Sequence, residues 1–236
     1  MIQTQNLTKH YHGLVAVDDL TFAVQPGEVL GFLGPNGAGK STTMRMIAGF
    51  VAPTAGSASI CGFDIATHPI EAKRALGYLP EGAPCYGEMS VTGFLEFIAD
   101  LRGLNGAERR TRLDYVIGRL QLEGVLEQSI DTLSKGFKRR VGLAQAIVHN
   151  PKVLILDEPT DGLDPVQKHE VRTLISEIAK EKTIVISTHI LEEVDAVCTR
   201  AIIIARGKLV ADGTPAALKA QAPSGRLDDV FRAVAA

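Results

Sequence analysis

Apolar positions along the chain change their spacing twice, and the two changes divide it. In the first third, short apolar runs alternate with turn residues. Residues 2–7, 15–24 and 57–61 predict strands of one small sheet, with turns at His12-Gly13 and Pro26-Gly27. The continuous apolar run Val29-Leu30-Gly31-Phe32-Leu33 predicts a buried strand, and residues 41–48 predict the start of a helix. Residues 71–75 predict a short helix leading into a strand at 76–79. From Val91 to about Asn150 helical spacing takes over, in segments 91–104, 107–122 and 136–148 punctuated by Gly103, Gly106 and Gly124. After Pro151 the earlier alternation returns, with strands at 153–156, 183–187 and 201–204 and helices at 165–179 and 191–196. Strand and helix in alternation predict an α/β fold around a mostly parallel sheet, with a small antiparallel β subdomain at the N-terminus. The expected organisation is one domain over 1–236. An α/β core with its β subdomain covers 1–86 and 151–214, a helical subdomain is inserted at 87–150, and an alanine-rich helical tail without legible chemistry covers 215–236.

Composition narrows the function classes. At 236 residues the chain fits one large domain, or one domain carrying an inserted subdomain. A net charge of −2 and a pI near 6.3 supply no global attraction to nucleic acid or anionic lipid. Cys61, Cys85 and Cys198 lie far apart and form no C-x-x-C pair, which argues against disulfides and a zinc cluster and for a reducing cytosol. The first residues lack the basic and apolar regions of a signal peptide. No apolar run approaches the ~20 residues needed to span a bilayer. The expectation is a chain that enters no membrane by itself and reaches one only through a partner.

Candidate chemistry begins at Gly34-Pro35-Asn36-Gly37-Ala38-Gly39-Lys40-Ser41, which fits the pattern G-x-x-x-x-G-K-[ST] at every required position. It lies between the expected strand at 29–33 and the expected helix at 41–48. A glycine-rich loop running into a helix N-terminus aims backbone N–H groups and the positive end of a helix dipole at one anion. Glycine is needed because a Cβ would block approach of the backbone to a phosphate. Lys40 is placed to reach β- and γ-phosphates and the Ser41 hydroxyl to ligate Mg²⁺, with Thr42 next in the helix. A chance glycine-rich turn is the alternative, and agreement of the motif with both flanks disfavours it. The chain is expected to bind a nucleoside triphosphate.

A second constellation is Val153-Leu154-Ile155-Leu156-Asp157-Glu158, an apolar strand ending in two carboxylates. Ligands of parallel sheets bind just beyond the carboxyl ends of the strands. Asp157 therefore suits the Mg²⁺ shell, and Glu158 suits the water that attacks the γ-phosphate. By itself such a strand could equally end in a solvated acidic turn.

Between these sites lies Leu133-Ser134-Lys135-Gly136-Phe137, opening a helix with Lys138, Arg139 and Arg140; beyond them comes Ser187-Thr188-His189. The order of these motifs resembles the ATPase subunit of ABC transporters over nearly the whole chain, from Ile2 to about Gly213. The resemblance implies a P-loop NTPase core of RecA-like type, ATP and Mg²⁺ as cofactors, and ATP hydrolysis coupled to transport. It implies that Tyr11 stacks on adenine, although a lone Tyr near a strand is as often core. It implies that 161–164 links two active sites across a dimer and that His189 contacts the γ-phosphate. It further implies that Ser134 and Gly136 close over ATP bound to the other protomer, which is a second copy or a close homologue. Two departures stand out. Lys135 and Phe137 replace the usual Gly and Gln of that signature, with Lys135 expected to add a cation at the phosphate. Glu81, in Tyr78-Leu79-Pro80-Glu81, stands where most members carry the Gln that reaches Mg²⁺ and the water. Its carboxylate has the same reach and adds a negative charge expected to slow hydrolysis or shift its pH profile.

The stretches at 77–81 and 142–146 look most like single-domain bacterial exporter ATPases. That likeness implies a separately encoded membrane permease and a peripheral place on the cytoplasmic face of the inner membrane. The helical insertion and residues 82–89, with Phe94 and Phe97 nearby, are the expected docking surface, although aromatics at helical spacing are more often core. The alternatives are a soluble ABC ATPase of cluster assembly or the ribosome, and a non-catalytic nucleotide-gated scaffold. The latter would most simply have lost Glu158 or His189. A chromosome-maintenance ATPase would need a long coiled coil between the two halves, and the stretch from Lys40 to Asp157 is too short for one.

Overall fold

In a computed structural model covering 236 residues, positions 1–222 and 225–235 are described. The chain runs through β1 (Ile2–Tyr11), β2 (Leu14–Val24), β3 (Val29–Leu33), α1 (Lys40–Ile47), β4 (Ala55–Ile60), β5 (Phe63–Asp64), α2 (Pro69–Arg74) and β6 (Leu76–Leu79). Three helices follow: α3 (Val91–Leu101), α4 (Gly106–Arg119) and α5 (Lys135–Ile147). The rest is β7 (Val153–Asp157), α6 (Pro165–Ile178), β8 (Thr183–Thr188), α7 (Leu191–Val197), β9 (Arg200–Ala205), β10 (Lys208–Gly213), α8 (Pro215–Lys219) and α9 (Leu227–Ala235).

Two sheets form. The first has order β2-β1-β4-β5 and is antiparallel throughout. The second has order β10-β9-β3-β8-β7-β6, parallel from β9 to β6, with β10 antiparallel at one edge. The burial of each strand follows its residues. β3, β7 and β8 are buried at every position, as continuous apolar runs in a doubly covered parallel sheet require. β10 alternates exposed and half-buried positions, which suits an edge. The short β5 and the hairpin strand β10 carry weak apolar signals and were not expected from spacing. The helix expected over 91–104 ends at Leu101, where Gly103 at φ +79 continues the chain in a left-handed turn.

Helices α3, α4 and α5 share one core with β6, β7 and the inner face of α6, including Leu79, Phe94, Leu95, Val141, Leu154 and Val171. The helical insertion is therefore packed onto the sheet. Two cations, half-buried Arg112 and buried Arg140, tie α4 and α5 to each other. Arg112 of α4 donates to the carbonyls of Ile147 and Val148 at the end of α5, and Arg140 of α5 donates to those of Leu120 and Gln121 after α4. Each guanidinium thereby occupies carbonyls that the other helix leaves unpaired, at its negative end.

Close approach of β6 to α5 depends on Gly77. A Cβ there would overlap the Ala146 carbonyl oxygen and stand 2.6 Å from Leu154 Cδ2. Gly77→Ala is expected to destabilise the chain by about 3 kcal/mol, as an overpacked core position does. Chemical denaturation measures this, and an unchanged midpoint would contradict the packing described.

Candidate functional site

The glycine-rich loop leaves the carboxyl end of β3, whose last residue, Leu33, pairs with Thr188 of β8 and Ile203 of β9. Gly37 and Gly39 have φ +80 and +105, and a Cβ on Gly39 would overlap the Ala16 carbonyl oxygen of β2. Around Gly37 no atom lies within 4 Å of an added Cβ, so the loop backbone is open there. Asn36 and Gly37 are exposed, Pro35 and Gly39 half-buried, and Gly34 and Ala38 buried. Gly39 is the N-cap of α1, and no side chain caps the first-turn amides, which remain available to an anion together with half-buried Ser41 and Thr42. The Lys40 ammonium is 8% exposed and donates to the carbonyls of Gly34 at 2.6 Å and Pro35 at 3.1 Å. Burial lowers its pKa below the ordinary lysine value, and the charges of Glu158, Asp157 and Glu81 oppose that shift. Three carboxylates, from the end of β7 and the loops after β7 and β6, thus act on one ammonium.

Asp157 ends β7, is 2% exposed and pairs in register with Ser187 of β8. The buried hydroxyls of Ser187 and Thr160 have no hydrogen-bond partner. Glu158 follows at φ +52, a left-handed conformation that a non-glycine residue adopts only when its surroundings impose it. Its N–H donates to Ser187 O at 2.8 Å. Its carboxylate accepts from His189 Nδ1 at 2.7 Å and from Thr188 Oγ1 at 3.3 Å. The His189 side chain is well exposed and that of Glu158 nearly buried. Glu81 is exposed on the loop after β6.

The donor set fits Mg²⁺. Among the described residues no cluster of three or more His, Cys, Asp and Glu side chains could hold a metal by itself. Mg²⁺ bound with a nucleotide needs only one or two protein oxygens beside phosphate and water. Asp157, Ser41 and Glu81 are hard oxygen donors of that kind, and the unpartnered Ser187 hydroxyl lies beside Asp157 in register. The open loop at Gly37 and the uncapped start of α1 fit a phosphate in the same way.

The remaining expected residues lie elsewhere. Tyr11 ends β1, 41% exposed, with Lys9 Nζ 5.0 Å from its ring centre. It belongs to the hairpin whose Ala16 touches Gly39. Ser134 is exposed at the N-cap of α5 and accepts from Phe137 N at 3.3 Å, while Gly136 is buried near Gln167 Oε1 and the Gly162 carbonyl. No hydrogen bond or ion pair joins Ser134 or Gly136 to the Lys40 cluster among the described residues. The exposed Lys135 ammonium is 2.8 Å from Asp161, because the start of α5 abuts the loop after Glu158. That contact lowers the Asp161 pKa.

Two participants were missed. Thr188 Oγ1 is 2.8 Å from Glu193 Oε2, so one hydroxyl lies between the carboxylates of Glu158 and Glu193. Glu193 is buried in the first turn of α7, and its position after the strand gave no sequence signal. Arg139 reads in sequence as one cation among three and is in fact 3% exposed behind Asp157 and Glu158.

Comparison with known proteins adds similarities of sequence and fold. The family model described as "ABC transporter" matches residues 17–161. The probable multidrug ABC transporter ATP-binding protein YbhF of Escherichia coli (strain K12) is 37% identical over 230 residues, covering 97% of this chain. The chain spans only 40% of that relative's length. The Nod factor export ATP-binding protein I of Burkholderia thailandensis is 39% identical over 218 residues, 92% of this chain and 72% of the relative. A solved ATP-binding subunit of an ABC transporter superposes with a TM-score of 0.91 at 32% identity, covering 99% of both chains. A dimeric bacterial ABC transporter cassette, at 24% identity and a TM-score of 0.84, shares the fold.

Burial raises the Glu193 pKa above the ordinary carboxylate value, against the Thr188 hydrogen bond. A raised carboxyl weakens the fold as pH climbs through its folded-state pKa and leaves it unaffected below the ordinary value. Glu193→Gln is therefore expected to raise Tm by a few degrees at about pH 8, with the gain shrinking toward about pH 4. Thermal melts across that range read the difference, and a gain independent of pH would exclude a buried charge at Glu193.

Proposed function

The chain belongs to the ABC transporter family of ATP-binding proteins, and on that premise we propose that it hydrolyses ATP to ADP and phosphate and powers export through a separately encoded membrane permease. The observation that carries the hydrolytic role is Glu158, held in a left-handed conformation with its carboxylate against His189 and beside buried Asp157. A carboxylate so fixed is suited to take the proton of a water attacking the γ-phosphorus as the bond to the β-bridging oxygen breaks. His189 orients Glu158 through Nδ1 and presents the rest of its exposed ring to the γ-phosphate. Lys40, freed from two loop carbonyls, and the amides of 34–41 neutralise the triphosphate. Ser41, Asp157 and Glu81 would hold Mg²⁺, which when bound supplies charge neutralisation at the β- and γ-oxygens. Tyr11 supports the adenine with its exposed ring.

Two molecules, or this chain and a close homologue, would sandwich ATP between one protomer's 34–41 loop and the other's Ser134 and Gly136. Exposure of Ser134 at a helix N-terminus supports that role. In the dimer the Lys135–Asp161 pair braces that helix start against the loop leading out of Glu158, within one protomer. Hydrolysis would remove the γ-phosphate contacts and release the sandwich, moving the helical unit at 87–150 against the core.

Export is favoured over a soluble role by the names of the multidrug and Nod factor relatives. No helix of the described residues is long and apolar enough to cross a membrane, so the permease would hold the chain at the cytoplasmic face of the inner membrane. A cleft of about 1190 Å³ between α1, α2, β6 and α3 suits the docking. Its rim carries Arg45, Lys73, Arg74 and Arg102 and no carboxylate, with exposed Phe50, Ile70 and Leu101. The matching permease segment is short, apolar and acidic. Tyr86, on the loop after Glu81 and 61% exposed against Phe94 and Phe97, extends this surface.

Glu158→Gln is expected to bind MgATP normally, lose turnover by about a hundredfold or more, and accumulate as a dimer. Phosphate release and gel filtration with ATP measure this, and normal turnover would remove Glu158 from its role. Charge reversal of Arg45 and Arg102 together is expected to abolish co-purification with the neighbouring permease while leaving basal ATP hydrolysis within about twofold. Retained co-purification would place the docking surface elsewhere.

A further inference from the structure

Arg139 occupies an unusual position for a cation. It lies in the second turn of α5, 3% exposed, and no carboxylate stands within 4.0 Å of it among the described residues. A buried charge ordinarily needs a counter-ion in contact. Here both terminal nitrogens of the guanidinium are bound by backbone instead, and the buried Nε has no hydrogen-bond partner. Nη1 donates to Pro80 O at 3.1 Å, and Nη2 donates to Asp157 O at 2.9 Å and, more closely still, to Glu158 O. These three carbonyls belong to the two segments that carry Glu81 and Glu158. Around them the charges of Asp161, Asp157, Glu158 and Glu81 act on Arg139 from a distance, opposing the burial that disfavours its charge.

The geometry at Glu158 shows what such a contact controls. A non-glycine residue at φ +52 is strained, and its surroundings hold it there. On one side the Glu158 N–H is bound to Ser187 O at 2.8 Å, and on the other its carbonyl is bound by Arg139. Remove the second tie and the peptide can relax toward an ordinary conformation, swinging the carboxylate away from His189. The Pro80 carbonyl directly precedes Glu81, so the same guanidinium also fixes where that side chain starts. Arg139 sits five residues along α5 from Ser134, about 7.5 Å at helical rise, so it moves rigidly with the helix start.

We propose that Arg139 is a positioning residue for ATP hydrolysis, holding the backbones of Glu158 and Glu81 in their working register and conveying the position of α5 to them. The proposal rests on the hydrolytic reading above. In this role Arg139 acts on the reaction only through the segments it holds, chiefly through Glu158.

The test uses the full chain, comparing Arg139→Met, Arg139→Gln and Arg139→Lys with and without Glu158→Gln. MgATP turnover is followed in steady state and in single-turnover quench, and equilibrium binding of MgADP reports the folded site. In Arg139→Met kcat is expected to fall about tenfold or more, with KM and MgADP affinity within about threefold of wild type. Arg139→Gln and Arg139→Lys, which keep donors, are expected to recover part of the rate. In the Glu158→Gln background the Met substitution should cost less than about twofold further, because the group it positions is already lost. Wild-type kcat in Arg139→Met overturns the proposal, as does a loss confined to KM. So does an equal loss in both backgrounds, which would mean that Arg139 acts independently of Glu158. Should Arg139→Met fail to bind MgADP, the Gln and Lys variants carry the same criteria: reduced kcat with retained affinity supports the role, and wild-type kcat in both overturns it. A wild-type chain without ATP turnover would instead overturn the hydrolytic reading, and with it this one.

Discussion

Parallel pairing of β3, β8 and β7 is the constraint on which the rest of the molecule depends. Their register brings Leu33 beside Thr188 and Ser187 beside Asp157, so three chain segments leave the sheet at one edge. Because all three strands are buried along their whole length, polar groups are acceptable only where the strands end. Each end therefore carries part of the chemistry: a glycine-rich turn after β3, two carboxylates at the end of β7, and Thr188 and His189 at the end of β8. A slip of one residue in this pairing would turn Asp157 to the other face of the sheet.

Charge is concentrated inside this molecule more than its near-neutral balance suggests. Lys40, Arg139, Arg140, Asp157, Lys182 and Glu193 are all buried. Most of the buried cations are satisfied by carbonyl oxygens. Lys40 uses the loop, Arg140 the end of α4, and Lys182 the Pro151 carbonyl together with the Asn150 side chain. Carbonyls at helix ends and strand ends would otherwise lack donors, so a buried cation and a frayed terminus relieve each other. This fastens the helical unit to the core by directional bonds to the backbone, and a shift of α5 must disturb the end of β7. An apolar interface of the same area would permit sliding with less effect on Glu158.

The left-handed backbone at Glu158 and the contacts around its carboxylate describe one device. The strand direction of β7 must change sharply after Asp157 for the chain to enter the loop toward α6. That turn is held by a β8 carbonyl, a β8 threonine, a histidine and a guanidinium from α5. Groups from β8, the turn after it and α5 converge on the backbone and side chain of one residue, which is how a fold keeps a strained conformation in place. The capping box of Asp164 and Gln167 then starts α6 three residues beyond Asp161.

Much of this was legible along the chain. The G-x-x-x-x-G-K-S pattern announced its loop because strain and close approach demand glycine at set positions, and the apolar run before Asp157 announced a buried strand. The strand at 76–79 and the helix starts near Val91, Lys135 and Pro165 followed from spacing alone, because local periodicity is set by backbone geometry. What sequence could not reveal is which cations point inward. Lys138, Arg139 and Arg140 are adjacent and chemically alike, yet Lys138 is half-buried and reaches the Asp131 carbonyl, while the two arginines are buried on carbonyls 18 to 59 residues away. Nor could it reveal that the Lys135 ammonium stands 2.8 Å from Asp161. Sequence alone determined the phosphate loop, the acidic strand end and the α/β alternation, since each is a local pattern. Only the tertiary structure decided that Arg139, Thr188 and Glu193 surround Glu158, because those contacts arise from segments that meet through sheet register and helix packing.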